Sequence, residues 1–300
     1  MDRLSADRMF VEVARRGSFS AAAARLGCSA GQASKLVSAL EARLGVRLLI
    51  RTTRAVSLTP EGEEYLPRIA AILDQMTELD DRLRSNDGQP RGLLRLTAPL
   101  TFGTAQLMPA LADFARAHPA IRLDVDFTDS IVSLAEGGFD AAIRVGQPRD
   151  SAMVAHPLGV MTVVAVASPL YLDARGTPRT PDALEGHDFI TDMNFVRPDD
   201  WTFGEGGDAV TIRATVRLRF SNAEACITAA IAGLGITRVP DFIAAPHLRD
   251  GRLVQVLGDF PQGQSPVMAL AAQGRHIPSR LRLLIRFLQD RWGPGHGWAD

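Results

Sequence analysis

Cysteine is nearly missing. Cys28 and Cys226 are the two thiols in 300 residues, too few and too far apart for a disulfide framework, so nothing points to an oxidising compartment. The amino-terminal stretch MDRLSADRMFVEVARRGSFS has no uninterrupted apolar core and carries charges every few residues, which excludes a signal peptide or membrane span there and makes a cytoplasmic protein, with no membrane partner, the expectation. The six histidines, at 118, 156, 187, 247, 276 and 296, are dispersed. None shows His-x-x-x-His spacing and the cysteines show no Cys-x-x-Cys, so no metal site is expected. GQSPV (263–267) ends wrongly for the G-x-S-x-G elbow of acyl-transfer enzymes, and GLGITR (233–238) lacks the third glycine of a dinucleotide fingerprint and follows a helix instead of opening one. Asp124, Asp126 and Asp129 lie on a strand and its exit, where solvated or capping carboxylates are the rule. An enzyme is not expected, and neither is a cofactor.

Net charge is also close to absent, at −1 overall, yet it is unevenly distributed. Residues 1–60 hold ten Lys/Arg against four Asp/Glu, residues 61–90 three against eight, and the rest twenty against twenty-two. A compact basic unit of +6 is followed by an acidic segment of −5 and a large body of −2. Such asymmetry points to a polyanion-binding end, although a solvated basic face would look the same on charge alone.

Periodicity divides the chain at the same places. Residues 5–16 put Met9, Phe10, Val13 and Ala14 on one helical face, with Ser5 as N-cap and Gly17 as terminator. A second helix runs from Ser20 to Leu26 and closes at Gly27; a third begins at Ser29. In the third, Ala33, Val37, Leu40 and Leu44 form the buried stripe, while Ala30, Gly31, Ser34, Lys35 and Ser38 occupy the opposite side. Two helices joined by a short turn make a helix-turn-helix, whose second helix lies in the major groove with small residues that let the backbone come close. VRLLIRTTRAVSLT then reads as a β-hairpin wing with Arg51 and Arg54 near its tip, within reach of phosphates or a narrow minor groove.

Gly17 to Gly62, GSFSAAAARLGCSAGQASKLVSALEARLGVRLLIRTTRAVSLTPEG, resembles the winged helix-turn-helix of the LysR-type transcriptional regulators. The matching elements include Ser18-Phe19, Ala21 to Ala23, Leu26, Ser34, Leu40-Glu41, Leu44-Gly45, Leu48, Arg51-Thr52, Arg54, Leu58-Thr59 and Gly62. The resemblance implies recognition-helix contacts to double-stranded DNA at Ala30, Gly31, Ser34 and Lys35, and wing contacts at Arg51, Thr53 and Arg54.

Thr59 before Pro60, followed by Glu61, Glu63 and Glu64, reads as an N-cap, a proline at the first helical position and acids in the first turn. Leu66, Ile69, Leu73, Met76 and Leu83 recur near heptad spacing, with Ile72 and Leu79 widening the stripe. That pattern suits a dimer interface, or packing on the chain's own body. Pro67 lies in the helix interior, where a proline usually kinks the axis. SNDGQPRG (85–92) closes the element. The expected domains are 1–59 (winged helix-turn-helix), 60–90 (linker helix and hinge) and 91–300.

From Leu93 short strands alternate with helices, an α/β order with a largely parallel sheet. The segments 160–169 and 266–273 are apolar strands fit to cross between two lobes, expected at about 92–162 plus 268–300, and 163–267. Ligands sit beyond the carboxyl ends of such strands. Two helix starts point there, one with Thr101 as N-cap and one through SNAE (221–224) read as a capping box; an anion fits such termini, and capping alone explains them equally well. By resemblance this part is a two-lobed effector domain similar to periplasmic binding proteins, with Leu100, Thr101, Phe102, Ser221, Asn222 and Thr237 lining the cleft. Arg144 adds a positive charge there or is an ordinary surface arginine.

The sequence is therefore identified as an α/β chain joining a winged helix-turn-helix, a linker helix and a two-lobed domain. The expected function is a ligand-responsive DNA-binding regulator acting as a homodimer or homotetramer, with a small, anionic effector as co-inducer and RNA polymerase as a candidate further partner. The alternative is a two-lobed small-molecule binding protein without regulatory DNA binding.

Overall fold

The computed structural model describes residues 2–51, 56–84, 90–130, 134, 138–147, 153–204, 206–272, 277–293 and 298, with side chains throughout except at 74, 78, 81–84 and 208. Thr53 and Arg54, the Leu83 side chain and most of the helix expected over 130–138 lie outside the described residues.

Asp2, and not Ser5, caps α1 (Arg3–Arg16): its carboxylate accepts from the Leu4 and Ser5 amides at 3.2 Å each. A carboxylate that reaches both amides at the positive end of the helix outcompetes a hydroxyl one turn further in. Gly17 then ends α1 in the left-handed conformation. Ser18 caps α2 (Phe19–Leu26), which starts one residue earlier than its alanine run implies. Ser29 and Gln32 form a reciprocal capping box on α3 (Ala30–Leu44). Strands β1 (Leu49–Arg51) and β2 (Val56–Leu58) pair antiparallel. Met9, Phe10, Val13, Ala22, Ala33, Val37 and Leu40 are buried together beneath the three helices.

The Thr59 hydroxyl caps α4 (Pro60–Arg84), accepting from the Gly62 amide at 3.0 Å while donating to the Arg47 carbonyl at 2.7 Å. Gly62 is required at this joint, because a methyl group there would overlap the Leu48 carbonyl oxygen. The helix runs through Pro67 without ending. Leu66, Ile69 and Leu73 are buried in the amino-terminal core. Those three side chains, expected at a dimer seam, are thus covered within the subunit: α4 turns the amino-terminal half of its stripe onto α1. Tyr65 fastens this contact by donating to Asp7 at 2.7 Å, with Arg3 bridging both groups.

The remaining chain builds one nine-stranded sheet. β3 (Gly92–Ala98) lies between β4 (Ile121–Phe127) and β5 (Ala141–Val145), both parallel to it. β6 (Met153–Ala167) pairs along 153–162 with β13 (Gln264–Ala272), which also borders β5. Along 163–167, β6 pairs instead with β11 (Ile236–Pro240) and β12 (Val254–Val256), and β7 (Phe189–Asp192) and β10 (Val216–Phe220) follow beyond β11. β6 therefore carries the sheet from one lobe to the other, with β13 beside its first part. A separate hairpin of β8 (Asp200–Phe203) and β9 (Val210–Arg213) lies beside the second lobe. The helices are α5 (Leu100–Phe102), continued by a π-turn over Gly103–Leu107 into α6 (Met108–Ala117), then α7 (Pro169–Arg175), α8 (Ala223–Ile231), α9 (Asp241–Arg249) and α10 (Ser279–Arg291).

Two caps differ from expectation. α5 starts before Thr101, with Pro99 at the cap position. The Leu100 amide donates to Asp129 Oδ1 at 3.1 Å, so an internal carboxylate already occupies that helix start. Asn222, and not Ser221, caps α8 by accepting from the Ala225 amide, which removes the capping box read in SNAE. In both places an acceptor with better reach to the first free amides displaces the residue that local pattern favours.

Candidate DNA-binding and effector sites

The amino-terminal surface is organised by one arginine. Arg51, at the end of β1, donates from Nη1 to Ser34 Oγ at 2.9 Å and from Nη2 to Ser38 Oγ at 3.2 Å and Glu41 Oε2 at 3.1 Å. Its guanidinium carbon stands 4.7 Å from the centre of the Phe19 ring. The buried Glu41 uses its other oxygen to accept from the Leu48 and Leu49 amides, at 2.9 and 3.1 Å. One carboxylate and one guanidinium thus tie the entry of the wing to the middle of α3. Arg51, expected at the wing tip, is engaged inside the domain. This role was illegible because Glu41 and Arg51 lie ten residues apart across the Gly45 turn.

The clamp has a chemical consequence for the recognition face. A hydroxyl has one proton to donate and two lone pairs to accept. With Arg51 donating to them, Ser34 and Ser38 keep their own protons for an outside acceptor. Ala30, Gly31, Lys35 and Ser38 are exposed around them and Ser34 is half-buried. Small side chains and one ammonium leave the helix backbone open to close approach by a groove.

On the linker helix the described exposed apolar residues are Ile72, Met76 and Leu79, spaced four and three apart on one face. Among the described side chains, Met76 is the one member of the expected seam that the structure leaves uncovered.

In the carboxyl-terminal part, the ends of β3, β5, β7 and β11 converge. Asn222 Nδ2 donates to Thr101 Oγ1 at 3.3 Å, joining the two lobes directly. Arg144 donates to Thr97 Oγ1 at 3.3 Å and to its neighbour carbonyl at Ile143, at 2.9 Å. Burial weakens the hold of the Arg144 guanidinium on its proton, and Asp129 and Asp126 oppose that effect. Asp192, at the end of β7, is pushed above the usual carboxylate range by burial and by the charge of Asp129, against the hydrogen bond from the Asn194 amide. Thr237 is fully buried and donates to the Ile190 carbonyl at 3.0 Å. Leu100 and Ser221 are exposed. Phe102 stands apart from this group: its ring packs among Phe242, Trp292 and Trp298 at centroid distances of 6.1, 5.7 and 5.5 Å. A helix turns successive residues by about 100°, so Thr101 and Phe102 face different surroundings. Asp129, expected as a solvated or capping carboxylate, and Asp192, which no local pattern singles out, join the group because two loops distant in the chain meet there.

Cys226, on α8, is buried, and loss of water pushes its thiol up to about 12 with help from Asp192. A thiol held protonated is a poor nucleophile. Native protein at mildly alkaline pH should therefore leave Cys226 unmodified by a soluble disulfide reagent while Cys28 reacts, and unfolding should release the second equivalent. Mass spectrometry of the labelled peptides measures this; rapid native labelling at Cys226 would contradict it.

A basic helix-turn-helix with a wing, joined through a helix to a two-lobed α/β domain, defines a ligand-controlled DNA-binding regulator. The comparisons agree. Residues 4–63 match the model of the bacterial regulatory helix-turn-helix proteins of the lysR family, and residues 87–293 match the LysR substrate binding domain. The chain belongs to the LysR family of DNA-binding transcriptional regulators. It is 34% identical over 290 residues to an uncharacterised HTH-type transcriptional regulator, YhjC, of Escherichia coli, covering 96% of this chain and 97% of that one. It is 33% identical over 284 residues to the regulator PtxR of Pseudomonas aeruginosa, covering 95% and 91%. Among solved structures, CrgA of Neisseria meningitidis matches with a TM-score of 0.60 at 29% identity over 96% of this chain and 98% of that chain. The virulence activator AphB of Vibrio cholerae matches at 0.59 and 27%, over 96% and 98%.

Proposed function

We propose that this regulator is cytoplasmic, reads duplex DNA through α3 and the wing, and dimerises along α4, with tetramers forming through the effector domains and RNA polymerase as a further partner. The array held by Arg51 carries the reading of the DNA surface: a compact basic domain presents two serine hydroxyls with free protons, one lysine and an open helix backbone on a single face. Ala30, Gly31, Ser34, Lys35 and Ser38 meet the major groove; Thr53 and Arg54 meet the backbone or minor groove at the wing. Arg51 acts chiefly by positioning Ser34 and Ser38.

Salt-dependent binding of the full chain to selected duplexes tests this, because phosphate contacts release counterions. Ser34→Ala should change the selected sequence while weakening random-duplex binding little; an unchanged preference removes Ser34 from base readout.

The effector binds among Thr97, Thr101, Arg144, Asn222 and Thr237. Its anionic group pairs with Arg144, and a donor group faces Asp129 and Asp192. It must favour one arrangement of the assembly over another, because equal affinity for both shifts nothing. Thr101→Val should abolish the effector-dependent change in footprint and leave operator binding intact. A retained ligand response places the pocket elsewhere.

A further inference from the structure

A cavity of about 290 Å³ opens beside the β8–β9 hairpin and is distinct from the interlobe group. Its floor is Arg238 on β11. Successive side chains of a strand point to opposite faces. Thr237 therefore turns toward the interlobe side, next to Cys226, and Arg238 toward the hairpin.

Arg238 is unusual among the charged groups of this domain. Its guanidinium carbon lies 4.8 Å from the centre of the Phe195 ring and 5.4 Å from that of Trp201. Its Nε is buried with no hydrogen-bond partner, and its side chain makes no hydrogen bond or ion pair among the described residues. Loss of water lowers its affinity for its proton to about 10, against the attraction of Asp200. Aromatic faces stabilise a guanidinium but offer nothing to its in-plane N–H donors. Leaving a charged donor such as this Nε–H buried and unpaired is costly, so the arrangement calls for an acceptor from outside.

The walls restrict what that acceptor is. Phe195 and the exposed Val196 give an apolar lining, Arg197 adds a second cation at the rim, and the hydroxyls of Thr202 and Thr211 are bonded to each other at 3.0 Å. Asp200 stands in the wall and repels a second negative charge on any guest. The volume lies at the small end for ligand pockets, roughly 300 Å³ and upward. A planar carboxylate matches the paired N–H groups of a guanidinium.

We propose that the Arg238 cavity is a second ligand site, taking a small monocarboxylate with an apolar body. It is independent of the interlobe site: the two lie on opposite faces of β11 and share no side chain.

Calorimetric titration of the full chain with benzoate and with hexanoate tests the proposal, with benzyl alcohol and inorganic phosphate as controls. At least one carboxylate should bind saturably at millimolar concentration, and neither control should. Arg238→Gln should weaken binding by roughly tenfold or more, the usual effect of losing a charged hydrogen bond. Thr211→Trp, on the exposed hairpin, should block the cavity without touching the arginine, which keeps the test decisive if Arg238→Gln fails to fold. Thr101→Val should leave carboxylate binding unchanged. No saturable carboxylate binding, equal binding of phosphate, binding that survives Arg238→Gln or Thr211→Trp, or loss of binding in Thr101→Val would each overturn it.

Discussion

Replacing Glu41 with alanine is expected to destabilise the amino-terminal domain by about 3 kcal/mol, the low end for breaking a buried ion pair by removing one partner. The side chain of Glu41 is 6% exposed and that of Arg51 27%. Removing the carboxylate strands two backbone amides, of Leu48 and Leu49, and leaves a cation facing the Phe19 ring and two serine hydroxyls. Arg51 keeps some access to water, which is why the low end applies. Glu41→Gln retains acceptors for the amides but not the charge, and should fall between. Urea denaturation of the full chain, followed by helix signal and by amide exchange at Leu48 and Leu49, measures the effect. A change within about 0.5 kcal/mol, as for an ordinary surface substitution, would show that the clamp is dispensable. Duplex binding by Glu41→Ala should fail as well, since Arg51, the donor that orients Ser34 and Ser38, loses the carboxylate that holds it.

Leu79→Glu is expected to dissociate the dimer proposed along α4 and lower operator affinity by roughly a hundredfold, the scale of avidity lost when two linked binding modules become independent. Ile72, Met76 and Leu79 are 51%, 42% and 58% exposed on one face of a helix whose Leu66, Ile69, Ala70 and Leu73 are already buried. A carboxylate in that stripe opposes its own copy across a two-fold axis. Sedimentation at micromolar concentration should show monomers, and the thermal stability of the amino-terminal core should stay near wild type because Leu79 takes no part in it. Leu66→Ala separates the two halves of α4 by the opposite pattern, loss of stability with the dimer seam left intact. A Leu79→Glu protein that remains dimeric would move the interface off this helix.

Burial inverts the acid response of Asp192 relative to most carboxylates. Its folded affinity for a proton is raised, so the folded state binds the proton more tightly and stability falls as pH rises through the interval between the ordinary carboxylate value and the raised one. Asp192→Asn should therefore melt higher than wild type at neutral pH and equal it in acid. A melting difference that is the same at both pH values would mean that charge burial is not its cause.

Local chemistry made much of the chain legible. Gly17, Gly27 and Gly45 end the first three helices in left-handed conformations, and Ser29 with Gln32 opens the third, because caps depend on residues three or four positions apart. Strand β4 falls on IRLDVDF and β5 on AAIRV, since alternation and apolar runs are also local. Caps with a close competitor were less legible: Asp2 over Ser5, Pro99 with Asp129 over Thr101, Asn222 over Ser221. In each, the neighbouring pattern offers two or three acceptors and geometry chooses one.

Sequence by itself determined the class of this protein: a basic helix-turn-helix with small residues on its outer face, an acidic capped helix and an α/β body, all set by patterns that repeat within a few turns. Tertiary structure alone decided which charges are engaged and which are left over. Arg51 answers Glu41, Asp129 fills the start of α5, Leu66, Ile69 and Leu73 turn inward, and Arg238, between two aromatic rings, is left without an acceptor among the described residues. The reason is distance: these partners are up to some tens of residues apart in the chain, and only packing of separate elements brings a desolvated charge to its neighbour or denies it one.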